Sequence, residues 1–173
     1  MVMIIRFDAS HRDEALDLAI RAWAPVFPQV RATVPRFVYD NFYPDGWEVR
    51  QRADLSEVLD QEPQNVDVAL EDDQVVGWIC TRIHPEDNMG EVYVLVVDPD
   101  HQRRGIASAL MDRSMRRIKN AGMSMALVET GDDPGHSSAR STYERLGFTR
   151  WPVARYFKDL AEKDLADETD RSP

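Results

Sequence analysis

The run Glu91–Val97, Glu-Val-Tyr-Val-Leu-Val-Val, restricts the possible folds of this chain more than any other segment. Apolar residues fill nearly every position, so a strand made from it must be covered on both faces. Asp98-Pro99 ends the run. A helical pattern follows over Gly105–Ala121, with Ile106, Leu110 and Ile118 on one stripe, Ala107, Met111 and Met115 beside it, and Gly122 as its stop. Such a strand is central in its sheet, and the helix that follows it makes this an α+β domain.

The remaining elements fit around this centre. Met3–Asp8 reads as a first strand. Ser10 is the expected cap of a helix whose apolar face carries Ala15, Leu16, Ala19, Ile20 and Trp23, ended by Pro25 and Pro28. Residues 31–53 read as aromatic and irregular, and a short helix is expected over Asp54–Gln61. Val66–Leu70 and Gln74–Ile83 form a hairpin about Glu71-Asp72-Asp73. Ser124–Thr130 is a further strand, Ser137–Leu146 a short helix closed by Gly147, and Phe148–Phe157 a returning strand. With no repeats and no linker, residues 1–158 read as one domain and 159–173 as an acidic tail that frays.

Composition narrows the function classes. The formal charge of −10 and pI near 4.8 argue against nucleic acid as a partner, because phosphate contacts need clustered Lys and Arg. No apolar run approaches the ~20 residues of a membrane helix, so no membrane partner is expected. The start of the chain turns acidic before a signal-peptide core forms. The single Cys80 cannot close an internal disulfide; together these predict a cytoplasmic protein. His11, His84 and His101 lack metal-ligand spacing, so no metal is expected. The charge is also unevenly spread: residues 1–75 hold 15 acids and 7 bases, whereas residues 76–158 hold 10 and 12.

The loop Gln102-Arg103-Arg104-Gly105-Ile106-Ala107-Ser108 carries the clearest chemistry. Helix N-termini present backbone N–H groups without intrahelical partners and the positive end of the macrodipole. Small residues at Gly105 and Ala107 allow close approach, and Arg103 and Arg104 add positive charge. This is an anion site suited to phosphates, without the Gly-Lys-[Ser/Thr] ending of a Walker loop.

Gln102–Ala107 matches a Q/R-x-x-G-x-G/A pattern, and Ala139–Phe148 (ARSTYERLGF) follows one helix and one strand later. Together they resemble the GNAT superfamily of acetyl-CoA-dependent N-acetyltransferases over roughly residues 66–158. The resemblance implies an α+β fold of α/β/α layers: a mixed, mostly antiparallel central sheet with a splayed strand pair, flanked by helices. It also implies acetyl-CoA as co-substrate, its pantetheine arm paired with Leu95, Val96 and Val97. The N–H groups of Arg103–Ser108 would hold the pyrophosphate, with Gln102 beginning the loop. His136 stands where the family often has an Asn against the pantetheine.

By the same resemblance Tyr143 donates a proton to the departing sulfur, and a backbone N–H near Leu95 or Val96 meets the oxyanion. Two glutamates compete for the base, Glu91 at the head of the central strand and Glu129 at the end of the next. The acceptor is expected to be a small cationic or amino-sugar amine. It would bind against the aromatic, acidic region holding Trp23, Phe37, Tyr39, Asp40, Tyr43, Asp45, Trp47 and Glu48. A protein N-terminus or lysine is the enzymatic alternative, and a non-catalytic acyl-CoA-binding regulatory module the alternative of another class. A homodimer is also compatible with the sequence. Trp78 and Trp151 are candidate cleft residues.

Overall fold

The computed structural model describes residues 1–161. One five-stranded sheet runs in the order β1 (Met3–Arg6), β2 (Val66–Glu71), β3 (Gln74–His84), β4 (Met89–Val97), β5 (Met125–Val128). The first four strands are antiparallel neighbours, while β4 and β5 are parallel. That parallel pair needs a crossover, which is supplied by α5 (Ile106–Asn120). Helices α1 (Arg12–Trp23) and α4 (Trp47–Gln61) cover one face. Leu16, Leu18, Leu59, Val68, Trp78, Val94 and Val96 pack between them and the sheet. Helix α5 covers the other face through Ile106, Leu110 and Met111 against Ala69, Val76, Ile79 and Val92. The two-sided burial of β4 is thus the three-layer arrangement that its composition requires.

Local chemistry departs from expectation at several places. Asp8, not Ser10, caps the first helical turn. Its side chain accepts from the Ser10 N–H, and His11 reciprocates in a capping box. Residues 31–53 are mostly helical: α2 (Phe27–Thr33), α3 (Arg36–Phe42) and the first turns of α4. Pro28 sits in the first turn of α2, where a missing N–H breaks no hydrogen bond, and Pro35 is the cap of α3. The prolines that suggested irregular chain therefore separate short helices.

Phe148–Phe157 forms no strand. Pro152 interrupts it, and β5 offers only four residues of ladder. Side-chain pairs Arg150–Asp132 and Arg155–Glu129 hold the segment in place of a backbone ladder. Trp151, Val153 and Tyr156 consequently stay exposed. Residues 162–173 of the acidic tail lie outside the described residues.

Candidate functional site

The central strand is irregular at one point, and the site forms there. Across β3 and β4, Cys80 pairs with Val94 and Thr81 with Val92, so Tyr93 has no partner and forms a bulge. On the other edge β4 pairs with β5 only from Met89 to Val92. Beyond Val92 the parallel strands part, and a bulge at that point bends β4 away. The second half of β4 therefore lacks a neighbour on its β5 side. A cleft of about 580 Å³ opens along it, lined by Leu95, Val96 and Val97.

One end of this cleft is the loop into α5. Arg103 (φ 60°) and Gly105 (φ 84°) both adopt left-handed backbone, a turn that aims successive N–H groups into a concavity. Gly105 is the N-cap and no side chain caps α5, so the N–H groups of Ile106, Ala107 and Ser108 face the cleft without intrahelical partners. A Cβ built on Gly105 would meet nothing within 4 Å, because it would point into open cleft.

Beneath the loop Asp98 is nearly buried. It accepts from the Asp100 N–H at 2.9 Å and from Arg21 Nη2 of α1 at 2.7 Å. Burial pushes its carboxyl up, but these hydrogen bonds outweigh that and leave it below the usual carboxylate range. Gln102, Arg103, Gly105, Ile106, Ala107 and Ser108 all line the cleft, whereas Arg104 turns away to Glu71 at 2.8 Å.

The opposite wall is α6 (Ser137–Arg145) and the turn before it. His136 reaches the cleft with its Nδ1 2.6 Å from Asp133 Oδ2, and Asp133 also accepts from the Gly135 N–H. Arg140 Nη1 ties down the Gly131 and Asp133 carbonyls at 2.7 and 2.8 Å. The His136 that the sequence leaves without a clear role is thus held in a fixed turn. Tyr143 lines the same cleft, its ring edge-on to Phe148 at 6.0 Å. Burial raises its phenol above the ordinary value, so it stays protonated at neutral pH. Cys80 is fully buried, and desolvation pushes its thiol up to about 12, which removes the chain's one cysteine as a nucleophile.

The two glutamates stand elsewhere. Glu91 lies two residues before the bulge on β4, 19% exposed, with its Oε2 2.9 Å from His84 Nε2. Glu129 lies just past β5, 68% exposed and paired with Arg155. Neither lines the cleft.

Ala22 of α1, Val26 before α2, and Ser138, Ala139, Thr142 and Arg145 around α6 line the cleft without having been anticipated there. Trp23, expected in the acceptor wall, does line it, at the end of the apolar stripe of α1. Ser138, Ala139 and Thr142 are small residues on the face of α6 that carries Tyr143, a pattern visible in the sequence.

Trp78 is core, with its indole N–H donating to the Ala15 carbonyl, and Trp151 is at the surface, not in the cleft. The aromatics of the N-terminal region stack mainly on one another, Phe27 on Trp47 at 4.2 Å and Tyr39 against Tyr43 at 4.8 Å. Among the described residues no cluster of metal-ligating side chains occurs, and no helix is long and apolar enough to cross a membrane.

One cleft thus joins a helix N-terminus with free N–H groups, an unpaired strand edge and a part-buried phenol, set in an α/β/α fold. The acetyltransferase (GNAT) family model matches residues 31–148, and the chain belongs to that family. Among curated relatives it is 34% identical over 87 residues to the mycothiol acetyltransferase of Streptomyces coelicolor, covering 50% of this chain and 28% of that protein. The chain therefore spans less than a third of the length of that relative. Its fold is similar to the PaiA N-acetyltransferase from Thermoplasma acidophilum in complex with coenzyme A. The TM-score is 0.64 at 13% identity, covering 89% of this chain and 93% of that one. It is also similar to an aminoglycoside N-acetyltransferase in complex with CoA. There the TM-score is 0.60 at 15% identity, covering 92% and 95% of the two chains.

Proposed function

We propose that this protein transfers the acetyl group of acetyl-CoA to a primary amine by direct attack. The observation that carries the reading is the joining, in one cleft, of the α5 N-terminus, the unpaired edge of Leu95–Val97 and Tyr143. The site fits coenzyme A on its own terms. The free N–H groups of residues 106–108 with Arg103 suit a pyrophosphate, and the open β4 edge suits the amides of the pantetheine arm. His136 lines the cleft and, with its Nδ1–H given to Asp133, has Nε2 to accept from an amide N–H of that arm.

In such a transfer the amine nitrogen bonds to the acetyl carbon and the carbon–sulfur bond breaks. Glu91 takes the proton that the amine loses, and the Tyr143 hydroxyl gives one to the departing sulfur. A backbone N–H near Leu95 or Val96 stabilises the oxyanion. Glu91 is preferred to Glu129 because it is part-buried near the bulge, two residues before it, whereas Glu129 is solvated and paired with Arg155. The reading predicts that Glu91→Gln shifts the pH–rate profile upward more than Glu129→Gln. The reverse order would move the base to Glu129.

For the acceptor we favour a small cationic or amino-sugar amine. The acidic first part of the chain supports this, as do the names of its relatives, a mycothiol and an aminoglycoside acetyltransferase. A protein N-terminus or lysine is the second reading. We place the protein in the cytoplasm. We also infer a homodimer, supported by the exposed Trp151, Val153, Tyr156 and Leu160 and by the open edge of β5, where Met125 is exposed. Light scattering tests the dimer.

The decisive experiment for activity is thiol release from acetyl-CoA across aminoglycosides, polyamines, amino acids and peptides. Turnover concentrated in the first two classes is expected. Coenzyme A binding without turnover on any class would favour a non-catalytic acyl-CoA-binding regulatory module.

A further inference from the structure

His84, the last residue of β3, has no part in the reaction as described above, yet it holds one oxygen of Glu91. In the β3–β4 register His84 opposes Met89 and is diagonal to Glu91, so both side chains project on the same face of the sheet. The ring is 30% exposed and lies between two carboxylates, with Nε2 2.9 Å from Glu91 Oε2 and Nδ1 3.7 Å from Glu86 Oε1. A carboxylate only accepts, so Nε2 carries the hydrogen.

The stronger cation nearby is engaged elsewhere. Arg82 is the direct cross-strand partner of Glu91, but its guanidinium is bonded to Glu62 through Nε at 3.0 Å and lies 3.3 Å from the centroid of the Tyr93 ring. Among the described residues no other group bonds Glu91, and its Oε1 is without a partner. One oxygen is anchored and one is open. The anchor is an imidazole, which donates to the carboxylate through a single N–H and carries no permanent charge. A permanent guanidinium in its place would suppress the carboxylate's basicity.

We propose that His84 is a positioning residue for the acetyl transfer. It fixes the Glu91 carboxylate at Oε2 and leaves Oε1 free to take the amine's proton, across a water because Glu91 itself does not line the cleft. The proposal rests on Glu91 being the base. In the proton transfer the amine proton moves to Glu91 Oε1, the nitrogen lone pair forms the new N–C bond, and the His84 Nε2–H bond to Oε2 stays in place. His84 exchanges no proton with the substrate.

The test uses the whole chain with saturating acetyl-CoA and the amine that turns over fastest in the panel above. H84L and H84E remove the donor, while H84Q keeps an N–H at similar reach and matches H84E in size. H84L and H84E are expected to lower kcat about tenfold, with KM for the amine and Kd for coenzyme A within twofold of the parent. H84Q is expected to recover kcat to within threefold. In an E91Q background H84L adds less than twofold, because the group it positions is gone.

Equal losses in H84Q and H84E, a loss confined to KM, or an unchanged kcat in H84L with E91Q impaired would each overturn the role of His84 while leaving the base assignment standing. An E91Q variant as active as the parent would overturn the base assignment and this proposal together. So would failure of every amine in the panel to turn over. If H84L does not fold, the contrast between H84Q and H84E decides alone.

Discussion

Helix α5 has a left-handed glycine at each end, and comparing the two separates backbone strain from ligand contact. Gly105 (φ 84°) caps its start and Gly122 (φ 80°) follows its end, and an added Cβ would meet nothing within 4 Å at either. Substituting Ala therefore creates no clash in either place. What it imposes is the left-handed penalty for a residue with a side chain, about 1–2 kcal/mol. The smaller entropy of the unfolded chain offsets roughly 0.4–1 kcal/mol of this. The net loss of about 0–1.6 kcal/mol corresponds to a fall in Tm of at most about 6 °C for a domain of this size.

Gly105→Ala and Gly122→Ala should match in that respect, measured by thermal denaturation without ligand. They should differ in coenzyme A affinity. The Gly105 methyl would occupy the space where a pyrophosphate approaches the N–H groups of residues 106–108. Losing one charge-assisted hydrogen bond there costs about 1.5–3 kcal/mol, or tenfold or more in Kd by isothermal titration calorimetry. Gly122→Ala should leave Kd within twofold. Equal affinities in the two variants would refute the assignment of the α5 N-terminus as the phosphate site. A Tm loss several times larger at Gly105 would refute the claim that only backbone strain is involved.

Tyr143→Phe should lower kcat by roughly one to three orders of magnitude while the coenzyme A Kd stays nearly constant, measured by thiol release and calorimetry. In the parent the raised phenol pKa keeps that proton in place, so no alkaline loss of rate from this group should appear below the ordinary phenol range. Asp98→Asn should reduce stability to urea at pH 7 by about 1–3 kcal/mol, because Arg21 loses its charged partner. Since the Asp98 pKa is lowered by folding, its contribution is complete above the ordinary carboxylate range and is lost as pH falls through the depressed value. The parent and variant should therefore converge in acid. Leu110→Ala, at a fully buried position, should cost about 2–5 kcal/mol in equilibrium unfolding.

The parts of this molecule that could be read from the sequence are those where one physical demand acts alone. The apolar run of β4 demanded cover on both faces, and it has it. The glycine before α5 called for a left-handed turn, and the backbone makes one, although of the paired arginines only Arg103 faces the cleft.

Other features depend on competition between distant parts. Whether Phe148–Phe157 becomes a strand depends on how many residues β5 can offer, and β5 stops at Val128. Prolines break an α-helix in its interior but are tolerated at its start, and Pro28 and Pro35 stand at the starts of α2 and α3, which their presence alone does not reveal. The state of Glu91 depends on which partner Arg82 takes, which a linear pattern does not encode. The aromatic N-terminal residues read as a ligand wall, but most satisfy one another.

The family resemblance begins at residue 31, yet the cleft is closed by Ala22, Trp23 and Val26, and Arg21 holds the Asp98 that supports the anion loop. Helix α1 is thus both core and wall. A shortened chain begun at the family boundary would lose Leu16, Leu18 and Ala19 from the core and one side of the cleft in a single cut. It follows that occupancy of the cleft and folding of the first helix are thermodynamically linked. Amide hydrogens of α1 should slow their exchange with solvent when coenzyme A binds, although most of the recognisable family sequence lies far along the chain from them.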